Sequence, residues 1–172
     1  SAMNIPNDNA EIFIQQNRVL RANNVETIEK VSKKYMNKEL ITKINIKPFK
    51  RLTNAATAAG FANKRHYYHN NVKIDEAWHL GIDWASVKNA TVKVSNDGEV
   101  IFKDYLGLYG NTIIVNHGLG LASLYAHTST QDIEVSEFVE KSQKIANTGA
   151  TGAVFGDHLH FGMLVQGVEV NP

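Results

Sequence analysis

The chemistry-bearing residues of this 172-residue chain gather in three short stretches. The first is Asp157-His158-Leu159-His160-Phe161-Gly162. On a strand, His158 and His160 share one face while Leu159, Phe161 and Met163 share the other. With the apolar face on a core, two imidazoles project together. A single such pair fits a metal or catalytic site and surface chance alike. The second stretch is His79-Leu80-Gly81-Ile82-Asp83, with His79, Gly81 and Asp83 on one side and Leu80, Ile82 and Trp84 on the other. Cα atoms four residues apart on a straight strand are ~13 Å apart. A His and an Asp sharing a zinc through ~2 Å bonds span only about 11 Å. A shared ion therefore demands a bend, and Gly81 is the residue that permits one. Taken alone, a strand-ending Asp83 and an ordinary exposed His79 account for the pattern as well. The third stretch, Tyr125-Ala126-His127, closes an apolar run, with Tyr125 and His127 on one strand face and Leu124 and Ala126 opposite.

Together the three supply nitrogen and oxygen donors without sulfur, a set that suits Zn2+. The chain has no cysteine, which excludes disulfides, thiolate zinc sites and cysteine nucleophiles. A catalytic zinc site needs three protein ligands and one open position for water. Two imidazoles and one carboxylate leave it with a net charge of about +1, enough to acidify that water. The remaining histidines then carry protons and stabilise an oxyanion, which completes the requirement for splitting an amide. The helical His-Glu-x-x-His motif is absent, so this site stands on β-strands.

The elements around these residues read in two styles. Glu11 to about Met36 predicts a helix, with Ile12, Val19, Val25, Ile28 and Val31 at near-helical spacing and Asn9 as cap. Thr42, Ile44 and Ile46 alternate with polar residues and predict a short strand ended by Pro48, and the Ala/Asn/Gly-rich 53–64 predicts a loop. Beyond Trp78 short alternating runs take over. Thr91–Ser95 and Val100–Phe102 flank Asn96-Asp97-Gly98 as a hairpin, and Thr112–Val115 and Leu121–Ala126 flank the turn His117-Gly118-Leu119-Gly120. Ile133–Val135 and Phe138–Ile145 form a third pair, and His158–Val165 a last strand. This predicts a mainly β fold: an antiparallel β-sandwich or partly open barrel (51–172) preceded by an N-terminal helical arm and linker strand (4–50). Ser1-Ala2-Met3 reads as an expression scar, residues 1–3.

Residues 1–50 carry nine Lys/Arg against five Asp/Glu, and 51–172 nine against twelve, so a positive arm accompanies a mildly acidic body. The net charge of +1 gives no footprint for nucleic acid, and no apolar run approaches the ~20 residues of a membrane span. The arm is expected to pack on its own body, on a second copy as a homodimer, or on a paralogous subunit as a heterodimer, or to cover the cleft.

From about Lys64 to Pro172 the chain resembles the catalytic domain of the lysostaphin/LytM-type zinc metallopeptidases, which cut peptide cross-links in peptidoglycan. The matching stretches are Trp78–Asp83, Gly110–Gly118, Ser123–His127, Asn147–Gly152 and Gly156–Gly162, in the family's order. The resemblance implies that His79, Asp83 and His160 are the zinc ligands and that His127 and His158 are the two non-ligand catalytic histidines; it alone separates His158 from His160. Arg65–Tyr68 and the closing Gly167–Pro172 look most like the cell-shape-determining endopeptidases of helical Gram-negative bacteria. That likeness implies a D-alanyl–diaminopimelate cross-link as substrate, and a periplasmic or cell-envelope location with a membrane anchor preceding this sequence. Some relatives have lost ligands and act as non-catalytic scaffolds or activators; here all five positions are filled.

Overall fold

Two buried faces organise the described residues, 2–4, 10–36 and 47–172 of a computed structural model. In chain order the elements are β1 (Ala2–Asn4), α1 (Ala10–Met36), β2 (Ala56–Ala59), β3 (Lys64–His69), β4 (Val72–Trp78), β5 (Ile82–Ala85), β6 (Thr91–Lys93) and β7 (Gly98–Tyr105). A 3-10 turn at Gly107–Tyr109 precedes β8 (Asn111–Gly118), β9 (Leu121–Ala126), β10 (Thr130–Gln131), β11 (Phe138–Val139), β12 (Lys144–Asn147), β13 (Leu159–Val165) and β14 (Val168–Val170). The large sheet runs β11-β7-β8-β9-β13-β5-β2, with β14 also paired to β13. A small sheet, β10-β12-β6, covers one of its faces, and a third, β1-β3-β4, carries the one parallel pairing among the described residues, β1 with β3. The predicted mainly β, antiparallel architecture with an N-terminal helix is what the chain adopts.

Period-two alternation decides what each face of the large sheet touches. Trp84, Val100, Ile113, Val115, Tyr125, Leu159 and Phe161 pack with Val92, Ile145 and Ala146 of the small sheet and with Val94 just beyond β6. Ile101, Ile114, Leu124, Ala126 and Leu164 point the other way, toward Ile28 of α1. The helical arm thus packs on its own body. Ile28 is fully buried, a contribution of about 1.5–3 kcal/mol. Ile12 and Val19, expected on the apolar stripe, are more than half exposed. The expected Ile28 and Val31 do pack on the core, and the other buried positions of α1 are the polar Asn17, Asn24 and Ser32. Two of these polar residues bond across: Asn17 Nδ2 donates to Asp75 Oδ2 (3.2 Å), and the Leu108 N–H donates to Asn24 Oδ1 (3.0 Å).

Several local expectations are corrected. The Asn96-Asp97-Gly98 turn joins no hairpin, because β6 pairs with β12 while β7 pairs with β8 and β11. A tight hairpin turn of that kind requires φ > 0 at its central residues, and none of the three has it. Asp97 is occupied elsewhere, accepting from the Lys141 N–H at 2.6 Å through Oδ1. The turn at 117–120 does form as predicted, with Gly118, Leu119 and Gly120 all at positive φ between β8 and β9. Residues 133–135 form no strand; β11 pairs β7, and β12 pairs β6 and β10. The expected loop at 53–64 contains β2, an Ala-rich edge strand on β5. Ala2 and Met3, read as a scar, lie beside His66 and Tyr67 in β1. The strand expected over 42–46 and the Asn9 cap lie outside the described residues.

One buried polar cluster makes the sandwich acid-sensitive. His117 Nδ1 donates to the Asp97 carbonyl (2.6 Å), and its Nε2 lies 2.7 Å from Ser123 Oγ. Burial, opposed by the Asp97 carbonyl, pushes this imidazole down to about 4. An unfolded histidine takes its proton near 6.5, so between those values the unfolded chain binds more protons. This contribution to stability is complete above about pH 6.5 and shrinks as the pH falls toward 4, by ~3 kcal/mol in all. Urea midpoints of wild type and His117→Gln from pH 7 to pH 4 should therefore diverge at neutral pH and converge in acid. Parallel curves would contradict the assignment.

Candidate metal centre

The three stretches converge where β5 and β13 meet. Asp83 of β5 and His160 of β13 are direct antiparallel partners, so both side chains rise from one rung on one face. His79 arrives from the bend that follows β4, as expected from the distance argument. Gly81 is required in that bend for space: a Cβ there would lie 2.5 Å from the Phe161 carbonyl oxygen and 2.7 Å from the His160 ring.

The donor atoms form a nearly equilateral triangle. His79 Nε2 lies 2.9 Å from Asp83 Oδ1 and 3.0 Å from His160 Nδ1, and His160 Nδ1 lies 2.9 Å from Asp83 Oδ1. A tetrahedral zinc with bonds of ~2.0–2.2 Å needs ligand separations of about 3.4 Å, so each side chain must yield by only a few tenths of an ångström. His79 Nδ1 donates to the Gly60 carbonyl at 2.7 Å, which fixes the ring and directs Nε2 inward. The remaining Asp83 oxygen, Oδ2, accepts from Arg65 Nη2 at 2.8 Å. All three residues are buried and form a group able to hold a metal ion. Burial by itself would raise the Asp83 carboxyl; the hydrogen bonds and charges of His160 and His79 outweigh it and hold the group ionised far below the usual carboxylate range. The His160 imidazole is lowered as well, chiefly by burial and against the pull of Asp83.

His127 and His158 stand beside this triangle. Their rings are 4.9 Å apart, and that of His127 is 5.8 Å from that of His160. Strand alternation would have sent His127 to the Tyr125 side, into the sandwich interior. The expected shared face is corrected here: β9 ends at Ala126, and His127 takes φ +62°, which turns its ring to the His160 side. Its Nδ1 donates to the Thr151 carbonyl at 2.9 Å, leaving Nε2 as an acceptor. The loop bearing Thr151 is set by back-to-back glycines. A Cβ on Gly152 would come within 2.5 Å of the Gly110 nitrogen, and one on Gly110 within 2.4 Å of the Thr151 carbonyl carbon. Burial and the neighbouring His160 and His158 push His127 down to about 3, so it is neutral at physiological pH. His158 donates from Nδ1 to the Gly156 carbonyl (2.8 Å) and turns Nε2 toward Asp83 Oδ1, 3.8 Å away.

These five residues line a cleft of about 780 Å³. Its walls include Phe13 and Arg21 of α1, Arg65 and Tyr67 of β3, and the exposed Phe155 of the loop before β13. Sequence reading took no role from Arg65, Tyr109 or Arg21. The Arg65/Tyr67 alternation in β3 was the available signal for the first. Nothing in the sequence marked Tyr109, whose ring is 5.3 Å from that of His160.

The sequence profile of Peptidase family M23 matches residues 77–172, more than half of the chain. The chain belongs to Peptidase family M23. This agrees with the lysostaphin/LytM resemblance carried by the motifs. Among curated M23 relatives, the DD-carboxypeptidase/endopeptidase Mpg of Neisseria meningitidis is 37% identical over 94 residues, 55% of this chain and 22% of that protein. The murein hydrolase activator NlpD of Escherichia coli is 37% identical over 98 residues, 56% of this chain and 26% of that protein. The chain therefore spans about a quarter or less of these relatives. A zinc-containing peptidase from Vibrio cholerae superposes with a TM-score of 0.64 at 29% identity, over 73% of this chain and 39% of that one.

Proposed function

We propose that this M23 protein is a zinc-dependent endopeptidase that hydrolyses peptide cross-links of peptidoglycan, at a D-alanyl–diaminopimelate bond, in the periplasm or cell envelope, where it remodels the wall and cell shape. The carrying observation is the triangle of His79 Nε2, Asp83 Oδ1 and His160 Nδ1 with two further imidazoles beside it. Zinc held by those three atoms supplies Lewis acidity, polarising a carbonyl and easing the ionisation of water.

The chain's own residues do the rest. Gly60 and Arg65 hold the ligand side chains in orientation, through His79 Nδ1 and Asp83 Oδ2. His127 and His158 share the proton: one takes it from the attacking water, and the other hydrogen-bonds the developing oxyanion or delivers a proton to the leaving amine. Both have Nδ1 fixed on a backbone carbonyl, so both present Nε2 to the cleft.

The second reading, a scaffold or activator that binds a partner hydrolase without cutting, draws on the likeness to NlpD. For association with a second copy or a paralogous subunit, α1 offers the exposed Ile12 and Val19. Incubation with purified cross-linked muropeptides separates the two. An endopeptidase converts dimers to monomers, stops with a chelator and recovers on addition of zinc. A scaffold leaves the dimers intact throughout, and that result would sink the enzyme reading.

A further inference from the structure

Two guanidinium groups line the cleft, and they are not equivalent. That of Arg65 is committed to Asp83 Oδ2. That of Arg21 has no carboxylate partner among the described residues. Its Nη2 donates to two neutral oxygens, Asn17 Oδ1 at 3.2 Å and the Tyr67 hydroxyl at 3.4 Å. Its Nε is buried with no hydrogen-bond partner at all. A cation with an unpartnered buried donor is costly unless something anionic completes it. Asp75, which shares Asn17 with Arg21, is taken by Arg18 and by the amide of Asn17. Asn17 is therefore held at both ends: its Nδ2 reaches Asp75, and its Oδ1 orients Arg21.

The location is within the catalytic cleft. Arg21, Tyr67 and Phe13 belong to the same cavity lining as His79, His127 and His160. The charges of Arg21 and Arg65 both act on the Tyr109 phenol, next to the His160 ring. The guanidinium fork matches a carboxylate in two-point geometry, and the partly apolar wall around it strengthens such a pair.

We propose that Arg21 is a substrate anchor that binds a free carboxylate of the peptide lying in the cleft, so that α1 takes part in specificity as well as in packing. This rests on the peptidoglycan-peptide reading above. In that substrate two carboxylates share the chemistry: the one at the peptide's C-terminus, and the uncoupled carboxyl of the diamino acid.

The test is equilibrium binding to zinc-loaded protein carrying His127→Ala, so that affinity is read without turnover. Three synthetic D-alanyl–diaminopimelate cross-linked peptides serve as probes: one with both carboxylates free, one amidated at the C-terminus, and one amidated at the diamino acid. With Arg21 present, one of the two amidations should weaken binding about ten- to hundred-fold, and which one does so names the carboxylate. Arg21→Gln should weaken the free peptide by the same factor and become indifferent to that amidation, and Arg21→Lys should recover part of the loss. Indifference to both amidations with Arg21 present overturns the anchor. So does an Arg21→Gln protein that binds the free peptide undiminished, or one that loses all three peptides equally. Failure to bind any of the three with Arg21 in place overturns the peptidoglycan reading itself, and the anchor with it.

Discussion

His160→Ala is expected to strip the protein of zinc and of hydrolysis together. His160 supplies one corner of a triangle whose edges are 2.9, 2.9 and 3.0 Å, and no other side chain among the described residues reaches that corner. The ring is buried, so its removal leaves a void beside Asp83 and Tyr109. Two ligands cannot hold the ion as three do, and bound zinc should fall from about one per chain to below roughly a tenth after dialysis. Metal analysis and muropeptide digestion on the same preparation measure both quantities. A His160→Ala protein with full zinc would show that the ion is held elsewhere.

His127→Ala should behave differently: zinc near one per chain, with turnover lower by ~10²- to 10⁴-fold, the usual yield of a positioned proton carrier. The reasoning is geometric. The His127 ring is 5.8 Å from that of His160, and its nitrogens take no part in the donor triangle. Its Nδ1 is spent on the Thr151 carbonyl, and its depressed proton affinity leaves Nε2 bare at neutral pH. Retention of zinc with loss of turnover is the combination that a purely structural role would not give, since a folding defect would lower both. Undiminished turnover would remove His127 from the proposed mechanism.

The contrast between these two histidines also measures what the sequence made legible. Strand alternation set His160 opposite Leu159 and Phe161, and Asp83 opposite Trp84; the cross-strand pairing of β5 with β13, which no local pattern shows, is what brings those two polar faces together. It misplaced His127, because a single left-handed residue at the end of β9 reverses the face and a histidine at φ +62° carries no local signature. The same limit applies to the Asn96-Asp97-Gly98 turn, where local composition favoured a hairpin and long-range bonds from Lys141 and His117 won. The helix was found from periodicity, and Ile28 and Val31 of its expected stripe do face the core, but the polar part of its buried face was not legible. Asn17 and Asn24 face inward because each meets a particular partner, and hydrophobic spacing is blind to that. Arg65 and Gly60, which steady the ligands, act from other segments, so that even where β3 alternation marks Arg65 its partner Asp83 is not legible along the chain.

One more property follows from Asp83 and His160 being cross-strand partners in β5 and β13. A slip of one residue between these strands would bury polar groups in the sandwich and, in the same movement, carry one ligand to the wrong side of the sheet. An ion that binds only the correct pairing therefore acts as a proofreader of assembly: loading rewards the single alignment in which every strand of the large sheet is in place, and a misaligned chain declares itself by its inability to keep the metal.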